Sequence, residues 1–238
     1  MKNSPIKIKL DKRSKYLRKL VLKCLVGGGR GHMGSAMSLI EILRVLYDKI
    51  VKVDPKNPLF EGRDKVILSK GHGCLALYSI LADKNFFKEK ILESSSKFDS
   101  ILGGHPEYEK VPGVEASTGA LGHGLPIGLG IALATRLKNK KNKVYVIMGD
   151  GEINEGSVWE AALMASKHKL SNLKIIIDYN KIQSYGKVKE VLDLEPLKKK
   201  WESFGFEVSE INGHDIKQLY KNFKKFKTTK QKKPSVTI

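Results

Sequence analysis

A chain of 238 residues with 41% hydrophobic content can bury one substantial core. It has no run of about 18 apolar residues and no apolar stretch behind its first basic residues, so a membrane span or secretion signal is not expected and the cytoplasm is the expected location. The formal charge of +19 attracts polyanions whatever the fold, but only six of the 44 basic residues are Arg (Arg13, Arg18, Arg30, Arg44, Arg63 and Arg136). Specific nucleic-acid recognition favours the guanidinium fork and is therefore not expected.

Residues 11–26 place Tyr16, Leu17, Leu20, Val21 and Cys24 at helical spacing, and Gly27, Gly28, Gly29 and Gly31 stop that helix. A glycine-rich loop follows with Arg30 and His32. SAMSLIEILRVLYDKI reads as one amphipathic helix from Ser35, ending before Asp54-Pro55. DKVILSKGHG reads as a short buried strand, Lys65 to Leu68, that turns at His72 into a helix through CLALYSILADKN. After a polar stretch come GGHPE and STGALGHGLPIGLGIALATRLK, whose glycines open a helix.

Two apolar strands, 143–151 and 173–180, flank the helical EGSVWEAALMASKHK, a βαβ unit with parallel strands. A strand at 206–211, a turn at Asn212-Gly213, a helix near 215–226 and a strand beginning at PSVTI continue the alternation. The reading is an α/β chain, a doubly wound and mostly parallel sheet, in one domain over 1–238. Lys clusters at 138–143, 198–200 and 221–233 fit solvated faces. Cys24 and Cys74 have no second Cys or His at metal-ligand spacing, which predicts free thiols in a reducing compartment.

Open parallel sheets bind ligands at the carboxyl ends of their strands. Asp150 and Asn180 stand at two such ends, thirty residues apart, about what one strand-helix-strand excursion needs to return to the same edge. Gly149 and Gly151 let the backbone between them turn sharply and approach a phosphate, and the next helix offers unpaired N–H groups to an anion. Mg²⁺ takes oxygen ligands, commonly one or two carboxylates plus phosphate oxygens. One Asp carboxylate, one Asn carbonyl and a backbone carbonyl beyond it meet that demand; Gly-Asp-Gly also fits a plain turn after a buried strand.

The stretch GDGEINEGSVWEAALMASKHKLSNLKIIIDYNKIQS resembles the thiamine diphosphate signature, Gly-Asp-Gly closed by an Asn about thirty residues on. The resemblance implies a thiamine diphosphate-binding fold in which Asp150, the Asn180 side chain and the Ile182 main-chain carbonyl hold Mg²⁺, or another divalent cation, on the diphosphate, with Gly151 against it. GRGHMGSAMS, ILSKGHGCLALYSIL, GGHPE and EASTGALGHGLPIGLGIALA resemble, in order and spacing, the N-terminal domain of transketolases. That family's active-site histidines transfer onto His32, His72 (also a cofactor contact) and His105, and STGALGHG would set Gly119 and Leu121 against the cofactor. A family Glu that couples two active sites transfers onto Glu155, which equally fits a helix-dipole contact. His32, His72 and His105 each also fit turn or loop roles. His123 has no firm assignment, His168 fits a helix end, and His214 fits turn chemistry.

The implied reaction moves a two-carbon ketol unit from a ketose phosphate to an aldose, in pentose phosphate carbohydrate metabolism. It needs protons to leave and return to sugar hydroxyls near neutral pH, which suits imidazole. The resemblance covers only the diphosphate-gripping domain and breaks off within a strand, short of a further active-site His. The expectation is a split transketolase that works with a C-terminal, pyrimidine-binding subunit in a heterotetramer. A deoxyxylulose phosphate synthase or 2-oxoacid dehydrogenase subunit shares the Gly-Asp-Gly core. A non-catalytic regulatory or polyanion-binding domain could share the fold.

Overall fold

The structure is a computed structural model that describes residues 10–184, 186–228, 230 and 232–238. Helix α1 spans Lys12–Gly28: the Asp11 side chain caps it by accepting the Ser14 N–H, and Gly29, at φ 66°, closes it with its own N–H on the Leu25 carbonyl. Leu17, Leu20, Val21 and Cys24 form its buried stripe.

The single helix expected from Ser35 is three pieces. Helix α2 (Met33–Ser38) starts two residues early because His32 takes the N-cap place, its carbonyl accepting the Ala36 N–H at 3.0 Å. At Leu39 the chain tightens, the N–H bonding back only three residues to Ala36. Helix α3 (Ile40–Val45) then widens into a π-helical turn over Leu46–Ile50. Tightening and widening rotate successive apolar residues inward, so Leu39, Ile40, Leu43, Leu46, Tyr47 and Ile50 are all buried. A period of 3.6 in the sequence does not mark such breaks.

Strand β1 (Lys65–Leu68) runs through a 3₁₀ turn at Gly71–Gly73 into α4 (Cys74–Asp83). There follow α5 (Gly124–Leu137), β2 (Val144–Gly149), α6 (Gly156–Lys167) and β3 (Leu173–Asp178). Next come a hairpin of β4 (Ile182–Gln183) and β5 (Gly186–Lys187), then α7 (Val188–Val191) and α8 (Leu197–Ser203). The last elements are β6 (Glu207–Ser209), α9 (Ile216–Thr228) and β7 (Ser235–Thr237). The hairpin, α7 and α8 have no counterpart in the sequence reading.

The main sheet has the order β1-β2-β3-β7-β6 with every pairing parallel, the doubly wound α/β fold that the alternation predicts. Burial on both faces explains the nearly continuous apolar runs of the central strands. Val66, Leu68, Tyr145, Ile147 and Ile176 enter one core with α1 to α4 and α9, and Ile67, Val144, Val146, Met148, Ile175 and Ile177 enter the other with α5, α6 and α8. Cys24 and Cys74 are buried free thiols, pushed up by that burial to about 11 and about 12. Among the described residues no helix is long and apolar enough to cross a membrane.

His214 does make the expected turn, its N–H on the Asn212 side chain, but its ring also reaches the buried Glu41. Arg18 donates two bonds to the same carboxylate, at 2.6 and 2.9 Å. Burial pushes Glu41 up, and the bonds from His214 and Arg18 outweigh it, holding the group at about 2. A depressed carboxylate pKa adds stability above its unfolded value and loses it as pH falls through the folded value. Glu41→Gln should therefore cost about 2–3 kcal/mol at pH 7. Urea midpoints of both proteins should converge as pH falls from about 4.5 towards 2; a gap that stays constant would contradict the linkage.

Candidate active site

The carboxyl ends of β1, β2 and β3 open onto a cleft of about 680 Å³. Its lining includes His32 and His72, Leu121, Asp150 and Gly151, Glu155, Asn180 and Ile182. Eight of the ten residues singled out in the sequence thus share one cavity. The other two, His105 and Gly119, lie on adjoining loops outside that lining, packed on each other: a Cβ on Gly119 would sit 3.5 Å from the His105 ring. Tyr78 fixes the His105 loop, its hydroxyl bonding the carbonyls of Gly103 and His105.

Asp150 follows the last residue of β2, with helical backbone angles that start the 3₁₀ turn Gly151–Asn154. One carboxylate oxygen accepts the Gly151 N–H at 2.8 Å and the other the Lys181 N–H at 2.6 Å. The second bond ties the end of β2 to the turn that carries Asn180. In that turn the Asn180 side-chain oxygen accepts the Ile182 N–H at 2.9 Å, and Lys181 is held at φ 68°, a left-handed angle costly for a residue with a Cβ. Burial pushes the Asp150 carboxyl up, the Lys181 and Gly151 N–H groups pull it down, and nearby Asp178 pushes it up again. A cation on this carboxylate would relieve that cost.

Three charged residues that sequence reasoning passed over build the floor. Glu152 is buried and accepts from the Ser69 hydroxyl, the Gly122 N–H and the Gly149 N–H, clasping three segments of the site. Lys70, also buried, pairs with Asp178 at 2.7 Å, and Ser38 donates to the same Asp178 oxygen. The signal available was a charge at the end of an otherwise apolar strand, in ILSKGHG, VIMGDGE and IIIDYN.

The rings of His32 and His72 meet edge to face at 5.5 Å. Burial, with Lys70, His32 and His105 nearby, pulls His72 down to about 4 against the opposing pull of Asp178, so its imidazole is neutral at physiological pH. Glu155 holds the N-cap place of α6 without making a capping bond and is exposed, an acidic group at a helix N-terminus where the helix dipole favours it. His123 is exposed, its ring on the Leu121 carbonyl, and His168 closes α6 as its C-cap.

This donor set suits a diphosphate with a hard divalent cation. Gly151 presents bare backbone: a Cβ there would meet the Gln183 side chain at 3.0–3.1 Å. Ser35 Oγ and Gln183 Nε2, both on residues of the lining, are buried polar atoms without a partner among the described residues, open to an anion. No group of three or more His, Cys, Asp or Glu able to hold a metal occurs among the described residues. The Asp150 carboxylate and the Asn180 amide oxygen, both on residues of the lining, are hard oxygen donors of the kind Mg²⁺ takes alongside phosphate oxygens.

A family model described as the transketolase thiamine diphosphate binding domain matches residues 11–238. An apulose-4-phosphate transketolase subunit of Actinobacillus succinogenes is 46% identical over 211 residues, 88% of this chain and 76% of that one. A 6-deoxy-6-sulfo-D-fructose transketolase subunit of a Clostridium species is 38% identical over 231 residues, 97% of this chain and 84% of that one. The crystal structure of Campylobacter jejuni transketolase superposes with a TM-score of 0.88 at 32% identity, over 95% of this chain and 37% of that one. The chain therefore spans about a third of the length of that solved transketolase.

Proposed function

The chain belongs to the transketolase family, as its thiamine diphosphate-binding part, and on that premise we propose that it is the N-terminal subunit of a two-chain, cytoplasmic transketolase. It passes a two-carbon ketol unit from a ketose phosphate to an aldose and is active only with a pyrimidine-binding C-terminal partner. The observation that carries the reading is the bond from the Lys181 N–H to Asp150, which joins the Asp150 and Asn180 turns on one cleft shared with His32 and His72.

Bound thiamine diphosphate supplies the carbon nucleophile and electron sink of ketol transfer. Asp150, the Asn180 side-chain oxygen and the Ile182 carbonyl hold Mg²⁺ on the diphosphate, Gly151 and His72 contact the cofactor, and Gly119 and Leu121 lie against it. His72, neutral at pH 7, keeps a proton on one ring nitrogen and a lone pair on the other, so it binds without adding charge. His32 and His105, both exposed, exchange protons with sugar hydroxyls.

Exposed Leu121, Ile182 and Val191 on the cleft lining support a covering partner, and the relatives named as subunits support two chains. Glu155, exposed at the start of α6, is the residue through which two such pairs couple in a heterotetramer. The relatives are named for apulose 4-phosphate and 6-deoxy-6-sulfo-D-fructose, so both belong among the donors tested. The test is ketol transfer by the purified chain alone and mixed with a pyrimidine-binding partner, with thiamine diphosphate and Mg²⁺. Turnover is expected only in the mixture; full activity of the lone chain would refute the two-chain reading.

A further inference from the structure

Lys70 stands two residues beyond β1 and two before His72, and only 2% of it is exposed. Its ammonium pairs with Asp178, the last residue of β3 and two before Asn180. In the sheet β2 lies between β1 and β3, so the lysine stem has to pass over the end of β2. Gly149 is there: a Cβ on it would lie 3.7–3.9 Å from Lys70 Cβ, Cδ and Cε. The first glycine of Gly-Asp-Gly thus leaves a lane for a lysine stem, and a side chain larger than Ala would push that stem aside.

We propose that Lys70 is a positioning residue that locks the His72 turn to the Asn180 turn, acting through Asp178. It rests on the reading of Asp150 and Asn180 as the metal-diphosphate site. The Asn180 turn carries the left-handed Lys181 and needs fixing from two directions. Asp150 holds it from β2 through the Lys181 N–H. Asp178 anchors the other side, held in turn by Lys70 from the β1 turn and by Ser38 from α2. A buried ion pair gains little stability over an apolar pair of the same volume, so its contribution lies in the register it imposes between the two turns.

The test is calorimetric titration of thiamine diphosphate with Mg²⁺ into the chain mixed with its pyrimidine-binding partner, alongside urea midpoints for each variant. Lys70→Met and Asp178→Asn should each weaken binding about tenfold, the cost of removing an outer support of a metal site. The double variant should lose no more than either single one. That double variant leaves no unpaired charge, so it keeps the comparison readable if Lys70→Met unfolds. Should Asp178→Asn bind like the wild type while Lys70→Met does not, Lys70 is a direct ligand and the positioning role is overturned. Variants that all bind like a binding-competent wild type overturn this inference alone. A wild type that fails to bind overturns the site reading and this inference with it.

Discussion

Asp150→Ala is expected to weaken Mg²⁺-thiamine diphosphate binding by about 100-fold or more, a loss of roughly 3 kcal/mol. In the proposed site Asp150 is the carboxylate that holds the cation, and a hard cation held by few protein ligands depends on each of them. The residue also ties down the Lys181 N–H, so truncation alone would mix lost ligation with a loosened turn. Asp150→Asn separates the two, since an amide oxygen can keep accepting one backbone N–H while the charge is gone. It should bind almost as poorly as Asp150→Ala with a urea midpoint closer to wild type. Calorimetry checks the first statement and denaturation the second; wild-type affinity in Asp150→Asn would remove Asp150 from the metal site.

A comparably large effect is expected one strand away. A Cβ on Gly71 would overlap the Thr118 carbonyl oxygen and crowd its hydroxyl. Thr118 cannot yield, because its hydroxyl donates to the Leu68 carbonyl at 2.6 Å and its N–H to the Pro106 carbonyl. Gly71→Ala should cost about 3 kcal/mol, at the upper end of overpacking costs, and should displace His72 next to it. Gly130→Ala is the control. It lies in α5 with open space where its Cβ would go and should stabilise by about 0.5–1 kcal/mol through helix propensity. Urea midpoints that moved equally in both variants would contradict the steric reading.

What the sequence made legible was the part written in apolar periodicity. β1 was expected at Lys65 to Leu68 and is found there, and β2, β3 and their crossover helix differ from expectation only at their ends. Strand ends were harder, because Asp150 continues the pattern of β2 but turns helical once its side chain accepts the Gly151 N–H. α8 was missed because LKKKWES shows only Leu197 and Trp201 to the core, too few for a periodic signal.

Buried charge was the least legible. Lys174 interrupts the apolar run of β3 and yet lies inside, its ammonium 5.3 Å from the Phe226 ring and 5.8 Å from Phe223. Lys70 with Asp178, Glu152 with Ser69 and Glu41 with His214 are partners 83 to 173 residues apart. Such pairs exist only once the sheet and its flanking helices are assembled: a charge following an apolar strand, as at Lys70, Glu152 and Asp178, marks one member, but no local pattern names its partner. Resemblance to transketolases pointed to the cleft residues themselves, but not to the charges that hold the cleft in shape.

The most direct test is the wild-type arm of the Asp150 titration, run with Mg²⁺ and again with EDTA on the chain mixed with the proposed pyrimidine-binding partner. Saturable binding of thiamine diphosphate with Mg²⁺ and its loss in EDTA is the predicted result. Equal binding in EDTA, or no binding in either condition, would contradict a metal-diphosphate site built from Asp150 and Asn180.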